Sequence, residues 1–451
     1  MISDVMVART TAEGRQVRPG SDEESMSRES RWSIAAAWAV SRAWLFLVTL
    51  GVLYNPYPIV TDDVRYTYFG WYEILRAGSF PIGDVTWQYP PGAAGALLLP
   101  GLLPLSYPTA FFTLMLAADL AALVFLLRGP SRLGAMLWVA AVPVLGPMIL
   151  SRYDLLVTAL AVAALSCAAR PRVSGVLTGV AAAIKVWPVL LLIGAPRGRR
   201  LYEAALWTLV GAGAVVLGFA AALPGAFDFV TAQRDRGIEI EAVAATPFHI
   251  ARAYGWSGEA RFTYGSMEFL GPHIAAAGRI CLAASALDLV WLLLWRRQAQ
   301  RWTHATMPDA ALTAVLLFVV TSRVLSPQYM VWLIGLAAVC LTRRETTQRP
   351  AAVLILLAVP LTTWEFPVWF GWLAASEPQA VAVLAARNVL LVAAAVWSAR
   401  RLWNGSREPE FTAADWPAPV PRAAAPSPAP ARSGPPSPDA TRTGRAAPGS
   451  V

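Results

Sequence analysis

Long apolar runs separated by short basic connectors make up most of the chain. The first covers about residues 33–54, and others lie near 91–105, 107–127, 133–150, 154–169, 173–195, 203–223, 272–295, 308–322, 328–342, 350–364 and 379–399. A run of about 18 or more apolar residues can cross the hydrocarbon layer as a helix. In lipid the backbone must satisfy its own hydrogen bonds within such a segment. The alternating ten-residue segments of a membrane barrel do not occur. The pattern predicts an all-α, polytopic integral membrane protein.

Several runs are too short for a full crossing, and they predict broken or half helices. Ser151-Arg152-Tyr153-Asp154 divides 133–150 from 154–169, and Ser322-Arg323 with Ser326-Pro327-Gln328-Tyr329 divides 308–322 from 328–342. The run 173–195 has basic connectors at both ends, so it reads as a hairpin broken at Lys185-Val186-Trp187-Pro188, where proline stops a helix. Two long segments, 55–90 and about 224–271, are rich in aromatics and paired charges and predict amphipathic helices lying at the interface. Residues 1–32 are polar and of mixed charge, and residues 404–451 are rich in Pro, Ala, Ser and Arg. These ends read as a disordered leader and tail flanking a transmembrane domain at 33–403.

Charge sets the orientation. Arginines cluster at the ends of apolar runs, as at Arg128 and Arg132, Arg170 and Arg172, Arg197, Arg199 and Arg200, Arg296 and Arg297, Arg343 and Arg344, and Arg400 and Arg401. By the positive-inside rule these connectors and both termini are cytoplasmic, and the two long segments face outward across the plasma membrane. The net charge of +9 then needs no nucleic-acid partner. Only 14% of residues are charged and 56% are hydrophobic, against about 25% charged in soluble domains. Cys167, Cys281 and Cys340 stand singly in apolar runs, and His249, His273 and His304 form no ligand spacing, so neither a disulfide framework nor a protein-built metal site is expected.

A few residues could carry chemistry. Lys185 is the chain's only lysine and lies in VLTGVAAAIKVWPVLLL. An ionisable group at membrane depth costs about 2.5–3.5 kcal/mol unless partnered, which makes it a functional candidate, although a lysine at a helix end can also snorkel. Asp62 and Asp63 follow the first helix; a carboxylate beside aromatic surfaces can act as a base, or it can cap the helix that follows. Arg152 and Asp154 can pair with each other across their break. Arg323 has no acidic neighbour in sequence, which favours an anionic ligand. Arg234, Arg236, Glu239 and Glu241 in QRDRGIEIEA read equally as ligand contacts or as the solvated face of an interfacial helix.

The succession of DVRYTYFGWYEILRAGSFP, QYPPG, SRYDLLVTALAVAAL, GVAAAIKVWPVLLL, RGIEIEA and SPQYMVWLIGL, spread over about residues 33–400, resembles glycosyltransferase family 87. These are membrane mannosyltransferases of the GT-C fold, well represented in actinobacteria and fed by polyprenyl-phosphate mannose. The resemblance implies a GT-C-like helical bundle that moves a sugar from a polyprenyl-phosphate donor to a lipid or glycan acceptor at the outer face, with inversion and without metal or cofactor. It implies Asp63, or its neighbour Asp62, as the base, and Lys185, Arg323 and Arg152 as holders of the donor phosphate. Asp154, Tyr66, Gln88, Tyr89, Arg236, Glu239, Glu241, Gln328 and Tyr329 are the substrate contacts to expect. A lipid-linked sugar flippase also uses broken helices and buried cations, and a non-catalytic polyprenyl-phosphate binder would share them. The two halves show no internal repeat, which favours the enzyme.

Overall fold

Short apolar helices occupy the interior, and long ones surround them. The computed structural model describes residues 19–232 and 236–407, with side chains described from residue 29 and not for 231–235. Among the described residues, seven helical segments are long and apolar enough to cross a membrane: Glu29–Leu50, Tyr107–Leu126, Leu133–Ser151, Arg199–Ala222, Ile274–Gln298, Arg349–Val368 and Pro378–Gly405. The outermost expose large apolar side chains, such as Leu209 and Leu282 at 72% each and Leu287 at 68%. Such a surface is stable only against lipid. The protein is a multi-pass membrane protein.

Asp154–Ser166, Pro171–Ile184, Thr306–Thr321 and Tyr329–Leu341 are shorter. Tyr329–Leu341 is buried almost throughout, so its ends meet protein rather than lipid, the setting in which a broken helix is tolerated. The expected hairpin is present, but unequal. Pro171–Ile184 is α-helical, the chain turns at Lys185, and Trp187–Gly194 returns as a 3-10 helix. The next helix, Arg199–Ala222, lies beside Pro171–Ile184 and runs in the same direction: Gly175 faces Ala204 and Gly179 faces Thr208. A Cβ at Gly179 would collide with the Thr208 carbonyl, so this close approach depends on small residues.

The two long segments at 55–90 and 224–271 differ from each other. In the first, Phe69–Arg76 is the expected amphipathic helix, burying Trp71 and Leu75. The second departs from the all-helical expectation with a small antiparallel sheet of order β1-β3-β2, where β1 is Ile238–Glu239, β2 Glu259–Thr263 and β3 Ser266–Leu270. Tyr264 and Gly265 both have positive φ, 50° and 72°, the conformation of a tight two-residue hairpin turn. This hairpin was legible in RFTYGSMEFL but was hidden by the aromatic content that suggested a helix. At the chain ends, the first helix begins at Pro19 and the last reaches Gly405; the rest of the leader and tail lies outside the described residues.

Candidate active site

The site gathers where helix ends meet the segment 55–90. The 3-10 stretch Val142–Ser151 ends at Arg152, whose extended backbone (φ −134°, ψ 130°) precedes the start of the next helix at Asp154. Lys185, also extended at φ −144° and ψ 135°, caps Pro171–Ile184. Both breaks therefore bring a cation to a helix terminus, free of the direction a continuous helix would impose. Asp63 opens a single wide helical turn, Asp63–Tyr68.

The two cations do not pair as sequence proximity suggested. Arg152 forms its ion pair with Asp63, and Asp154 receives Lys185 Nζ at 2.6 Å. Arg152 sits in an extended segment and Asp154 starts a helix, so their side chains leave the backbone in different directions. Trp332 Nε1 donates to the same Asp154 oxygen at 2.8 Å. Four rings surround the ammonium: Trp332 at 5.1 Å, Tyr153 and Tyr329 at 5.4 Å each, and Tyr89 at 5.7 Å. Aromatic faces and one carboxylate together replace the water that a buried ammonium loses. The Lys185 and Asp154 side chains are only 12% and 2% exposed, whereas Asp63 is 44% exposed and presents its carboxylate to the open side.

A second polar layer comes from the sheet. Arg236 donates to Gln88 Oε1 at 2.8 Å and Ser266 Oγ at 2.7 Å, and it is paired with the buried Glu268 of β3. Gln88 in turn donates to the Tyr264 carbonyl at 2.7 Å. Glu239 accepts from Ser326 Oγ at 2.6 Å. Its backbone N–H bonds the Arg323 carbonyl at 3.0 Å, while Arg323 Nη1 reaches the Arg236 carbonyl at 3.1 Å. The reading of this stretch as a solvated helix face is corrected: β1 and its continuation are buried, with Glu239 at 1% and Glu241 at 4% exposure. Arg234 lies outside the described residues. Glu239 Oε2 and Glu241 Oε1 are buried without a hydrogen-bond partner among the described residues. Burial, with the Glu365 and Glu239 carboxylates close by, pushes the Glu241 carboxyl well above the usual range.

Beside this layer a cleft of about 700 Å³ opens along the helix Ile274–Gln298, with Arg236, Arg279 and Arg323 at its rim and Gly278, Leu282 and Ser285 in its wall. Arg279 was not among the expected residues; inside a long apolar helix it reads only as one more flanking charge. Tyr329 joins the cage, and Gln328 caps the helix that carries it. Tyr66 is 72% exposed and Asp62 half-buried, and neither enters the network. Among the described residues no group of three or more His, Cys, Asp or Glu is arranged to hold a metal ion.

Residues 87–264 match the family model of Glycosyltransferase family 87. That stretch includes Gln88, Tyr89, Arg152, Asp154, Lys185, Arg236, Glu239 and Glu241, while Asp62, Asp63, Arg323, Gln328 and Tyr329 lie outside it. Among solved structures, the crystal structure of ArnT from Cupriavidus metallidurans bound to undecaprenyl phosphate is similar at a TM-score of 0.41 and 13% identity, covering 83% of this chain and 77% of that one. No curated protein matches.

Proposed function

We propose that this chain is a membrane glycosyltransferase, a reading supported by the match of residues 87–264 to the family 87 model, and that it transfers mannose with inversion from a polyprenyl-phosphate donor to a lipid or glycan acceptor on the outer face of the plasma membrane. The observation that carries the reading is the accessible Asp63 carboxylate, held by Arg152, the neighbour in sequence of the Asp154 that pairs with the caged Lys185.

Asp63 accepts the proton of an acceptor hydroxyl as that oxygen attacks the anomeric carbon. The bond from this carbon to the phosphate oxygen breaks, and its electron pair leaves with the lipid phosphate. Fixed cations that meet developing charge are a large contribution to catalysis. At the centre, Asp63, Arg152, Asp154 and Lys185 sum to zero charge. At the cleft, Arg236, Arg279 and Arg323 set against Glu268 and Glu239 leave +1. This contrast supports donor entry at the cleft, with Arg323 and Arg279 meeting the phosphate first and Lys185 and Arg152 lying deeper. The unpartnered oxygens of Glu239 and Glu241 suit sugar hydroxyls. A monophosphate leaving group needs no metal in this scheme.

The test is nanodisc-reconstituted protein given radiolabelled polyprenyl-phosphate mannose and membrane lipid extract. New labelled glycolipid is expected, and label that crosses the membrane without changing carrier would instead identify a flippase. Orientation is tested separately by labelling introduced cysteines in intact cells. Positions in 60–85 are expected to react from outside and Arg199→Cys to stay unmodified; exterior labelling at 199 would overturn the proposed topology.

A further inference from the structure

We propose that the end of the bundle away from the candidate active site holds the phosphate headgroup of an anionic phospholipid, gripped by Arg197, Arg297 and Arg407 beside Arg296. A cavity of about 800 Å³ is lined by Arg197, Arg297, Gln298, Gln300, Trp302 and Arg407, with Ala299. A neighbouring hollow of about 400 Å³ shares Arg197 and Arg297 and adds Leu293 and Arg296. The arginine-rimmed cleft sits at the Ile274 end of the helix Ile274–Gln298, and these hollows sit at its Gln298 end. At 1.5 Å per residue the two ends are separated by about the thickness of the hydrocarbon core.

The positive-inside rule asks only for basic residues near the membrane; it does not ask four guanidinium groups to converge. Among the described residues no carboxylate lines either hollow. Among the described residues the ion pairs of arginine and lysine involve other cations than these four. Arg197, Arg296 and Arg407 are placed by neutral partners. Arg296 and Arg197 lie over Trp302 at 5.2 and 5.9 Å, and Arg407 lies over Trp403 at 4.7 Å. Arg407 also donates to Gln298 Oε1 at 2.9 Å. Arg296 Nη1 donates to the Ile193 carbonyl, but its Nη2 is buried without a partner among the described residues. A desolvated guanidinium N–H without an acceptor is costly, and Arg296 itself lines the adjoining hollow. Arginine forks match phosphate oxygens well.

Depth in the membrane decides which anion. Arg296 and Arg297 occupy the last turn of a membrane-spanning helix, so the hollows lie at headgroup level. Immediately below, Leu293 and Leu294 are 48% and 44% exposed and Leu287 is 68% exposed, an apolar strip on which acyl chains can lie. Basic pockets between transmembrane helices are the physical setting for anionic headgroups.

The proposal is independent of the sugar-transfer reading and is tested by lipid retention. Full-length protein in mild detergent is mixed with phosphatidylglycerol or phosphatidylcholine, and adducts are read by native mass spectrometry. Wild type is expected to retain phosphatidylglycerol preferentially, and Arg297→Gln with Arg407→Gln to lose about tenfold, the scale of a lost charge-assisted hydrogen bond. Arg170→Gln with Arg172→Gln removes the same charge from another basic connector and should retain the lipid as wild type does. Equal loss in that control would reduce the effect to general surface charge and overturn the proposal. Displacement of the lipid by millimolar inorganic phosphate would also overturn it, by making this a soluble-anion site. If the double glutamine variant does not fold, Arg297→Lys, which keeps the charge but loses the fork, should show a smaller loss; full retention by a folded Arg297→Lys would count against the fork contact.

Discussion

Two arginine–aspartate pairs in this bundle use the same chemistry for different ends. Arg42 and Asp119 are each 1% exposed and meet through two contacts, Nε to Oδ2 at 3.0 Å and Nη2 to Oδ1 at 3.2 Å. The guanidinium also donates to the carbonyls of Val139 at 2.9 Å and Trp138 at 3.2 Å, and Trp38 Nε1 donates to Asp119. That pair is sealed and saturated; it ties the first helix to two others. In the Arg152–Asp63 pair the arginine is 12% exposed but the aspartate is 44% exposed. One end is anchored and the other is left exposed. The difference teaches how to read charge at membrane depth: a saturated pair is a brace, and a half-open one is a candidate for work.

The sealed pair should give the largest stability loss when broken. Asp119→Ala strands the Arg42 guanidinium, and breaking a buried pair from one side typically costs about 3–5 kcal/mol. A sharply lowered thermal midpoint in nanodiscs is expected; an unchanged midpoint would remove the brace. Lys185→Met is expected to weaken donor binding about 10–100-fold, the equivalent of a charge-assisted contact worth about 1.5–3 kcal/mol. The same variant also strands Asp154, so the informative version is Lys185→Met with Asp154→Asn. If Lys185 serves only to neutralise Asp154, that double variant should recover both folding and transfer. Recovery of folding without transfer is the expected outcome.

A further effect is expected from pH beside the small sheet. His249 is 1% exposed, with Nε2 donating to the Ile240 carbonyl and Nδ1 accepting from Ser376 Oγ, each at 2.8 Å. Burial, aided by the Arg252 charge, lowers its pKa to about 4. A histidine depressed in the folded state contributes stability that is present above its unfolded value near 6.5 and is lost as pH falls toward 4. Each pH unit in that window costs at most about 1.4 kcal/mol. His249→Gln should flatten the acid side of the stability profile; an identical profile in the variant would remove His249 from the account.

The bundle was legible in the sequence because lipid imposes length and polarity on every crossing. The breaks at Arg152 and Lys185 were legible for the same reason, since polar residues and proline interrupt otherwise continuous apolar runs. Pairing was not legible. Asp63 and Arg152 are brought together by packing between separate helices, and nothing at 63 marks 152 as its partner. Trp332 and Tyr153 looked like ordinary apolar positions, and their role in the Lys185 cage depends on which helix faces turn inward. The sheet was missed because its strands are short and aromatic, and only the Tyr264-Gly265 turn could have given it away.

The comparison of the two pairs turns on Asp63, and Asp63→Asn tests it most directly. Asparagine preserves the size of the side chain and can serve as a helix cap almost as well as aspartate, but it cannot take up the acceptor proton. Transfer measured in nanodiscs should fall by about 10²–10⁴-fold, the usual contribution of a general base, with the thermal midpoint and donor binding close to wild type. Asp62→Asn in the same assay should cost far less. Wild-type turnover by Asp63→Asn would contradict the account, and loss confined to Asp62→Asn would move the role to the neighbouring carboxylate.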